Sequence, residues 1–366
     1  MIKRIVLVLL LGVIVYACDE SDDNGGNLGN NNDDFNRALL LANVADNYII
    51  PAYQDLNTDL NDLVTVKNTF IVTPNQINLD ALRASWLKAY KTWQSVEMFN
   101  IGKAEEILYS FQMNIYPTNI SDIENNISFG SYDLSNVNNN DAVGFPALDY
   151  MLYGVAADDS AILAIYTDDK YTKYLSDLVG QMQSLTNTVL TDWTSSYRDT
   201  FVASTENTAT SALNKLVNDF IFYFEKGLRA NKIGIPAGVF SATPLSDKVE
   251  ALYNKEASKE LVTIALQAVQ DVFNGKAYST AATGESFKSY LVSLGRNDLA
   301  TLINTRFNGA KEKIQLLSAN LKNQVETDNT KMTEAYDALQ LAVVSLKVDM
   351  LQAFNVSVDY VDADGD

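Results

Sequence analysis

The side chains in this sequence that could bind a metal ion do so through oxygen atoms. The 366-residue chain has no histidine and a single cysteine, Cys18. A His-dependent catalytic triad is therefore excluded, and the sequence contains no Gly-rich phosphate loop, Cys/His cluster or Gly-x-Ser-x-Gly elbow. A metal site would have to use groups such as Asp149 and Tyr150, which favour hard cations: calcium, magnesium, manganese or ferric iron. We expect no zinc, because catalytic zinc normally takes at least one nitrogen or thiolate ligand.

Both of these residues lie in the segment 143–154, which reads Val-Gly-Phe-Pro-Ala-Leu-Asp-Tyr-Met-Leu-Tyr-Gly and is called the motif segment below. Pro146 suits a first helical position, where the backbone N–H would be unpaired, and Gly154 suits a C-terminal cap. The segment therefore predicts a short helix. Two interpretations are open: a rigid helix start in which Asp149 is solvated or paired, or a retained binding site.

The motif segment resembles the signature of the imelysin-like family of bacterial envelope proteins, in which Gly-x-His-x-x-Glu opens a helix rich in aromatic residues and leucine. The chain matches that signature at Gly144, Phe145, Ala147, Leu148, Tyr150 and Leu152. It departs from it at Pro146, which replaces the family's histidine, and at Asp149, which replaces the glutamate. A His and a Glu one helical turn apart could ligate a metal or act as an acid–base pair, whereas proline can do neither.

A second candidate element is a helix with an apolar seam. Its seam residues are spaced by three and four: Leu79, Leu82, Trp86, Ala89, Trp93 and Val96. Arg83, Tyr90 and Glu97 are seven residues apart and form a polar stripe beside the seam, a spacing that is also typical of a solvated helix flank. The resemblance extends over this helix and implies that Glu97 is a partner for the motif segment.

The predicted site combines these two elements. Asp149 and Glu97 are the candidate metal ligands. The full set of candidate binding residues is Gly144, Pro146, Asp149, Tyr150, Glu97, Arg83 and Trp93, with Gly234 and Pro236 as their counterparts in a second repeat.

That repeat is suggested by the segment Ile233 to Ala237, which matches Val143 to Ala147 as a branched residue, Gly, an apolar residue, Pro and Ala. Such short matches arise by chance, but each follows a set of helices, so we interpret them as traces of internal duplication. Helical periodicity dominates the chain from Phe35 onward. The predicted fold is all-α, with an N-terminal helical domain at 35–203, a C-terminal helical bundle at 204–355 and an acidic tail at 356–366. The resemblance likewise implies two helical bundles with the site at their interface.

One helix near the start of the first domain carries a further prediction. Its apolar residues are Phe35, Leu39, Ala42, Ala45, Ile49, Tyr53, Leu56, Leu60 and Leu63. Pro51 interrupts this stripe, because proline lacks the N–H that an interior helical position donates. We therefore expect the helix to kink or split there.

The N-terminus predicts a lipid anchor. Residues 1–17 have a basic start and an apolar run too short to span a bilayer, which is typical of a signal peptide. The run ends in Val-Tyr-Ala followed by Cys18, which resembles a bacterial lipobox. Residues 18–34 are acidic and rich in Gly and Asn, which predicts a disordered tether. We expect attachment to the outer membrane through lipid on Cys18. The acidic cluster behind it resembles a surface-export signal, and a plain linker is the alternative.

The negative charge of the chain limits the kinds of partner that it can bind. The net charge is −19, and −21 without Lys3 and Arg4 of the leader. Such a negative field argues against nucleic acid and anionic membrane surfaces as partners. The family resemblance implies a link to iron acquisition, and some members are described as metallopeptidases. We therefore expect a non-enzymatic envelope binding protein for iron, a small iron carrier or an uptake partner protein. The alternatives are a hydrolase with carboxylate metal ligands, and a scaffold whose site has decayed.

Overall fold

Helices account for every regular element that the computed structural model describes, which covers residues 34–360. Within that range the only strand-like pairing is one antiparallel bridge between Lys276 and Thr283. The all-α prediction is therefore confirmed. None of the helices in this part of the chain is both long enough and apolar enough to cross a membrane.

The α-helices in chain order are α1 (Arg37–Val44), α2 (Ile50–Val72), α3 (Gln76–Trp93), α4 (Lys103–Glu106), α5 (Tyr109–Met113), α6 (Ile120–Phe129), α7 (Gly144–Asp149), α8 (Asp159–Ile165), α9 (Asp169–Asp192), α10 (Arg198–Ala203), α11 (Ala212–Phe222), α12 (Ile235–Ala237), α13 (Ser258–Asn274), α14 (Phe287–Ser293), α15 (Asn297–Gln315), α16 (Leu321–Thr327), α17 (Asn329–Val344) and α18 (Leu351–Phe354). Short 3-10 helices occupy Val137–Ala142 and Ser246–Lys248, and π-helical turns occupy Ala45–Ile49, Tyr150–Gly154, Trp193–Tyr197, Tyr223–Gly234 and Ser345–Met350.

Two groups of helices make up the body. In the N-terminal half, α2 packs against both α3 and α9. In the C-terminal half, α17 packs against α15 and against the π-helical segment 223–234, and α13 also packs on α15. Helix α13 contacts α3 across the halves, and the described residues from Asn36 onward belong to one compact unit. The predicted boundary at 204 falls in the non-helical connection between α10 and α11, inside that unit, and the division into domains there stays a prediction.

The chain stays helical through Pro51. This proline is the second residue of α2 and directly follows the π-helical turn 45–49. Because Pro51 has no N–H, the carbonyl of Asn47 lacks its usual helical donor. The backbone N–H of Tyr278 donates to that carbonyl instead, at 2.9 Å. The expected split of the helix is therefore wrong.

The π-helical turn also moves the buried face. After the turn, the predicted stripe is buried as expected, from Ile49 through Leu63. Before it, Leu39 is 54% exposed, while its neighbours Leu40 and Leu41 are fully buried. A π-helical turn adds one residue to a helical turn, so apolar spacing cannot be followed through it without a shift. The seam of α3, by contrast, is buried throughout from Leu79 to Val96.

The N-terminal and C-terminal extremes lie outside the described residues. This applies to the signal peptide predicted at 1–17, to the tether at 18–34 apart from its last residue, and to the tail from residue 361 onward. Those predictions are not tested by the structure.

Candidate functional site

The motif segment begins at a glycine that the fold requires. Gly144 opens α7 with φ +76°, a left-handed conformation that favours glycine. A Cβ at this position would lie 2.2 Å from the carbonyl oxygen of Met113. Pro146 is the third residue of the helix, within the first turn where a backbone donor is not needed. The carbonyl of Ala142, which has no donor from Pro146, accepts a 2.8 Å hydrogen bond from the Tyr174 hydroxyl.

Carbonyl groups along the motif segment are held by side chains of neighbouring helices. The Trp86 indole donates to the Phe145 carbonyl at 3.2 Å, and the Tyr166 hydroxyl donates to the Met151 carbonyl at 2.8 Å. The π-helical turn 150–154 frees carbonyls that an α-helix would use internally. The motif segment is therefore fixed from outside as well as by its own hydrogen bonds.

Arg83 also supports the motif segment. Its guanidinium donates to the Leu152 carbonyl at 2.8 Å and pairs with Asp159 at 2.7 Å. It also stacks on the Tyr153 ring, with the guanidinium carbon 4.4 Å from the ring centre. The sequence placed Arg83 correctly beside the motif segment, and its contacts show that it positions that segment.

Asp149 joins the two halves of the molecule. The carboxylate is 2% exposed, and its two oxygens accept the backbone N–H groups of Tyr253 and Asn254, each at 2.8 Å. Burial raises the pKa of this carboxyl to about 7, although both hydrogen bonds oppose the shift. Each oxygen of Asp149 accepts one backbone hydrogen bond, so the carboxylate fixes the motif segment to the 253–254 backbone.

Glu97 lies in a largely buried cluster of polar side chains. Its carboxylate accepts hydrogen bonds from the Asn114 amide at 2.6 Å and from the Tyr223 hydroxyl at 2.9 Å. The ammonium of Lys232 is 3.1 Å from the same carboxylate and 2.8 Å from both oxygens of Glu250. Lys232 and Glu250 are each 1% exposed. We call these five residues the lysine–carboxylate cluster.

The charges of the lysine–carboxylate cluster sum to −1. Burial disfavours the Lys232 ammonium, but Glu250 and Glu97 together outweigh it and raise the pKa of Lys232 above its usual range. Burial, with the charges of Glu97 and Glu250, raises the pKa of the Tyr223 phenol well above its usual range. The lysine is thus a permanent cation at neutral pH, and it occupies the place between the two carboxylates where a metal ion would have to lie.

A third group contains Tyr150, whose ring also packs on Tyr253, with the ring centres 5.4 Å apart. The hydroxyl of Tyr150 donates to one oxygen of Glu124 and the hydroxyl of Tyr171 donates to the other, both at 2.7 Å. Burial and Glu124 raise the pKa of Tyr171 to about 12, and the same causes raise the pKa of Tyr150 further. We call Glu124, Tyr150 and Tyr171 the phenol–carboxylate trio.

The remaining predicted residues pack the interior. Trp93 is buried against Tyr109 and Phe145, and its indole N–H has no hydrogen-bond partner among the described residues. Gly234 has φ −67° at the end of the π-helical segment 223–234, so its conformation differs from that of Gly144. Pro236 is a buried residue of α12. The two Gly-x-Pro-Ala segments therefore do not share a local structure, and internal duplication is not confirmed.

Sequence reasoning missed most partners of Glu97 and Asp149. The available signal for Lys232 was a basic residue directly before the apolar segment that begins at Ile233. No signal identified Glu250, Tyr253 or Asn254, because their segment between α12 and α13 has no periodicity. The polar stripe that contains Glu97 could have been a solvated flank, but Tyr90 is fully buried in it.

Across residues 34–360, no three His, Cys, Asp or Glu side chains converge in a way that could hold a metal ion. Asp149 and Glu97 each have their own internal donors, and neither is shared with the other. Burial raises the pKa of Tyr90 and both carboxylates raise it further, and whether the two carboxylates belong to one site stays a prediction.

Comparison with known proteins supports the family resemblance. The chain aligns with two solved structures at a TM-score of 0.70. One is an imelysin-like protein from Psychrobacter arcticum 273-4, with 18% identity over 89% of this chain and 97% of the other. The second is a putative iron-regulated protein A precursor from Parabacteroides distasonis ATCC 8503, with 16% identity over 87% of this chain and 95% of the other. These identities establish a shared fold alone. No curated protein matches the chain.

The family model described as imelysin, peptidase family M75, matches residues 49–350. That range includes the motif segment, the lysine–carboxylate cluster and the phenol–carboxylate trio. Because the match extends over most of the sequence, this chain belongs to the imelysin family.

Proposed function

We propose that this protein is a non-enzymatic binding protein of the cell envelope that serves iron acquisition. It is held at the outer membrane by lipid on Cys18, and it binds iron, a small iron carrier or an uptake partner protein. Membership of the imelysin family and the iron-regulated neighbour from Parabacteroides distasonis support the link to iron. The lipobox-like sequence before Cys18 supports the anchor.

The proposal of a non-enzymatic protein depends on one observation: Asp149 and Glu97 both have partners within the protein. A metallopeptidase needs ligands that converge on one metal ion and an open coordination position for water. Among residues 34–360, no three His, Cys, Asp or Glu side chains converge in this way. Here Asp149 accepts two backbone N–H groups, and Glu97 is paired with Lys232. The proline at position 146 supplies no ligand either. These contacts favour a binding protein over the hydrolase alternative.

A peptide-cleavage assay with added zinc tests the non-enzymatic part. We expect no zinc-dependent turnover by the wild-type protein, and the same result for Asp149→Asn. Zinc-dependent turnover that Asp149→Asn abolishes would contradict this proposal and favour the hydrolase.

Growth under iron limitation tests the link to iron. We expect a strain that lacks the gene to grow more slowly than its parent in medium with a ferric chelator, and equally well in iron-replete medium. The wild-type gene should restore growth, and Cys18→Ser should restore it poorly because the protein then lacks its lipid anchor. Equal growth of both strains under limitation would contradict the role in iron acquisition.

A further inference from the structure

The phenol–carboxylate trio brings three oxygen donors together from three separate elements. Glu124 comes from α6, Tyr150 from the π-helical turn of the motif segment, and Tyr171 from the start of α9. Each phenol donates to a different carboxylate oxygen at 2.7 Å, so the three side chains converge on one point. Glu124 and Tyr171 are partly exposed, so the group can be reached from solvent.

The carboxylate of this trio lacks a cationic partner. No Lys or Arg among residues 34–360 forms an ion pair with Glu124. A second phenol–carboxylate pair in the chain shows the contrast: Tyr132 donates to Asp177 at 2.8 Å, but Lys173 is 2.6 Å from the same carboxylate. The charge of Asp177 is therefore already compensated, whereas Glu124 holds its charge between two neutral phenols.

Carboxylate and phenolate oxygens are ligands for hard cations. A phenol keeps its proton at neutral pH, since its ordinary pKa is about 10, so only a strongly polarising cation can displace that proton. Calcium and magnesium polarise their ligands too weakly for this. Ferric iron does it, and tyrosine is an established ligand of protein-bound iron.

The geometry points to a ferric-ion site formed by Glu124, Tyr150 and Tyr171, and this inference rests on the proposed role in iron acquisition. On binding, the two O–H bonds break, their protons pass to solvent, and three Fe–O bonds form without a change in the oxidation state of iron. Water or the anion of an iron carrier fills the remaining coordination positions. The motif segment then serves the site by placing Tyr150, while Asp149 fixes that segment to the 253–254 backbone.

Titration of the purified full chain with ferric nitrilotriacetate tests this site. Ferric phenolate complexes absorb visible light, which separates them from iron held by carboxylates alone. We expect wild-type protein to develop a visible charge-transfer band that saturates at one iron per chain. Tyr171→Phe and Glu124→Gln should weaken binding by at least about tenfold, the scale seen when a residue that supports a metal ligand is lost. The band of Tyr171→Phe should also shift, because one phenolate is missing.

Tyr132→Phe is the matched control, since it removes a phenol from a carboxylate that Lys173 already neutralises. It should leave the band and its saturation point unchanged. Circular dichroism of each variant checks that the fold is retained. The absence of a band in wild-type protein, or an equal band in all four proteins, would overturn the site. If either result is found but the deletion strain still grows poorly under iron limitation, the role in iron acquisition is retained. The iron would then be bound at another place.

Discussion

Asp149 is a buried acid whose ionisation should be visible in the stability of the protein. Burial raises its pKa to about 7 in the folded chain, against 3.8 for an ordinary aspartate. The folded state therefore binds the proton more tightly than the unfolded state. The stabilisation from protonation is present at low pH and is lost as pH rises through about 7.

Asp149→Asn tests this linkage, because asparagine does not titrate. We expect the free energy of unfolding of the wild type, relative to the variant, to increase by about 2 to 3 kcal/mol between pH 8 and pH 5. Urea denaturation at pH 5, 6, 7 and 8 measures the difference. A flat profile for Asp149→Asn would show that Asp149 is not the titrating group.

Lys232 is the only charge that balances Glu97 and Glu250 within the lysine–carboxylate cluster. Lys232→Met should destabilise the protein by about 3 to 5 kcal/mol, because it leaves two carboxylates buried without a cation. The double variant Lys232→Met with Glu250→Gln should recover part of that loss.

Chemical denaturation measures each Lys232 variant. Lys313→Met breaks the partly exposed pair with Glu334 and should cost less than about 1 kcal/mol. If Lys232→Met is no more harmful than Lys313→Met, the lysine does not neutralise the cluster.

At the residue scale, the sequence identified Asp149 and Glu97 but not the groups that they contact. Asp149 and Glu97 were identified from the motif and from helix spacing. The N–H groups that Asp149 binds lie 104 and 105 residues further along the chain, in a segment with no periodic pattern. Backbone donors carry no residue-type signal, so no reading of side chains could have found them.

At the element scale, the start of α7 depends on Gly144. Alanine there would have to adopt φ +76° and bring a Cβ within 2.2 Å of the Met113 carbonyl oxygen. We expect Gly144→Ala to destabilise the protein by about 2 kcal/mol or more, because strain and overpacking add. Thermal or urea denaturation measures the change.

Gly180→Ala is the matched control for that substitution. Gly180 lies in the middle of α9, and a Cβ there meets nothing within 4 Å. Alanine in a helix interior is more favourable than glycine, so we expect a gain of about 0.5 to 1 kcal/mol. Two Gly→Ala substitutions with opposite signs would separate the local requirement at Gly144 from a general effect of alanine. Losses of similar size at both positions would refute it.

Helices were easier to predict than their interruptions. The seam of α3 has regular spacing of three and four, and all of it is buried. The π-helical turn at 45–49 shifts the buried face, so Leu39 is exposed while Leu40 and Leu41 are buried. The Asn47 carbonyl, which has no donor from Pro51, accepts the N–H of Tyr278, and the helix continues without a split.

On the scale of the whole molecule, the all-α class followed from helical periodicity over most of the chain. The close packing of the two halves could not be predicted in this way, because it depends on contacts between segments that are far apart in the chain. Asp149 reaches the 253–254 backbone, and Lys232 reaches Glu97. Each of these contacts joins residues on opposite sides of position 204, which accounts for the single compact unit formed by the described residues from Asn36 onward.

The proposed lipid anchor determines where the whole molecule is found in the cell, and Cys18→Ser tests it. The sole cysteine follows a lipobox-like triplet, and more than one acyl chain on that residue would hold the protein stably on a bilayer, since a single chain binds only marginally. Wild-type protein should sediment with envelopes after a high-salt wash and should incorporate labelled palmitate. Cys18→Ser should lose the label entirely. A soluble fraction should also appear, although an uncleaved leader can keep some of the variant at the membrane, so the label is the decisive readout. Palmitate incorporation by Cys18→Ser, or its absence from wild-type protein, would show that the cysteine is not the anchor, and the protein would then have to reach its partners at the membrane by protein contacts alone.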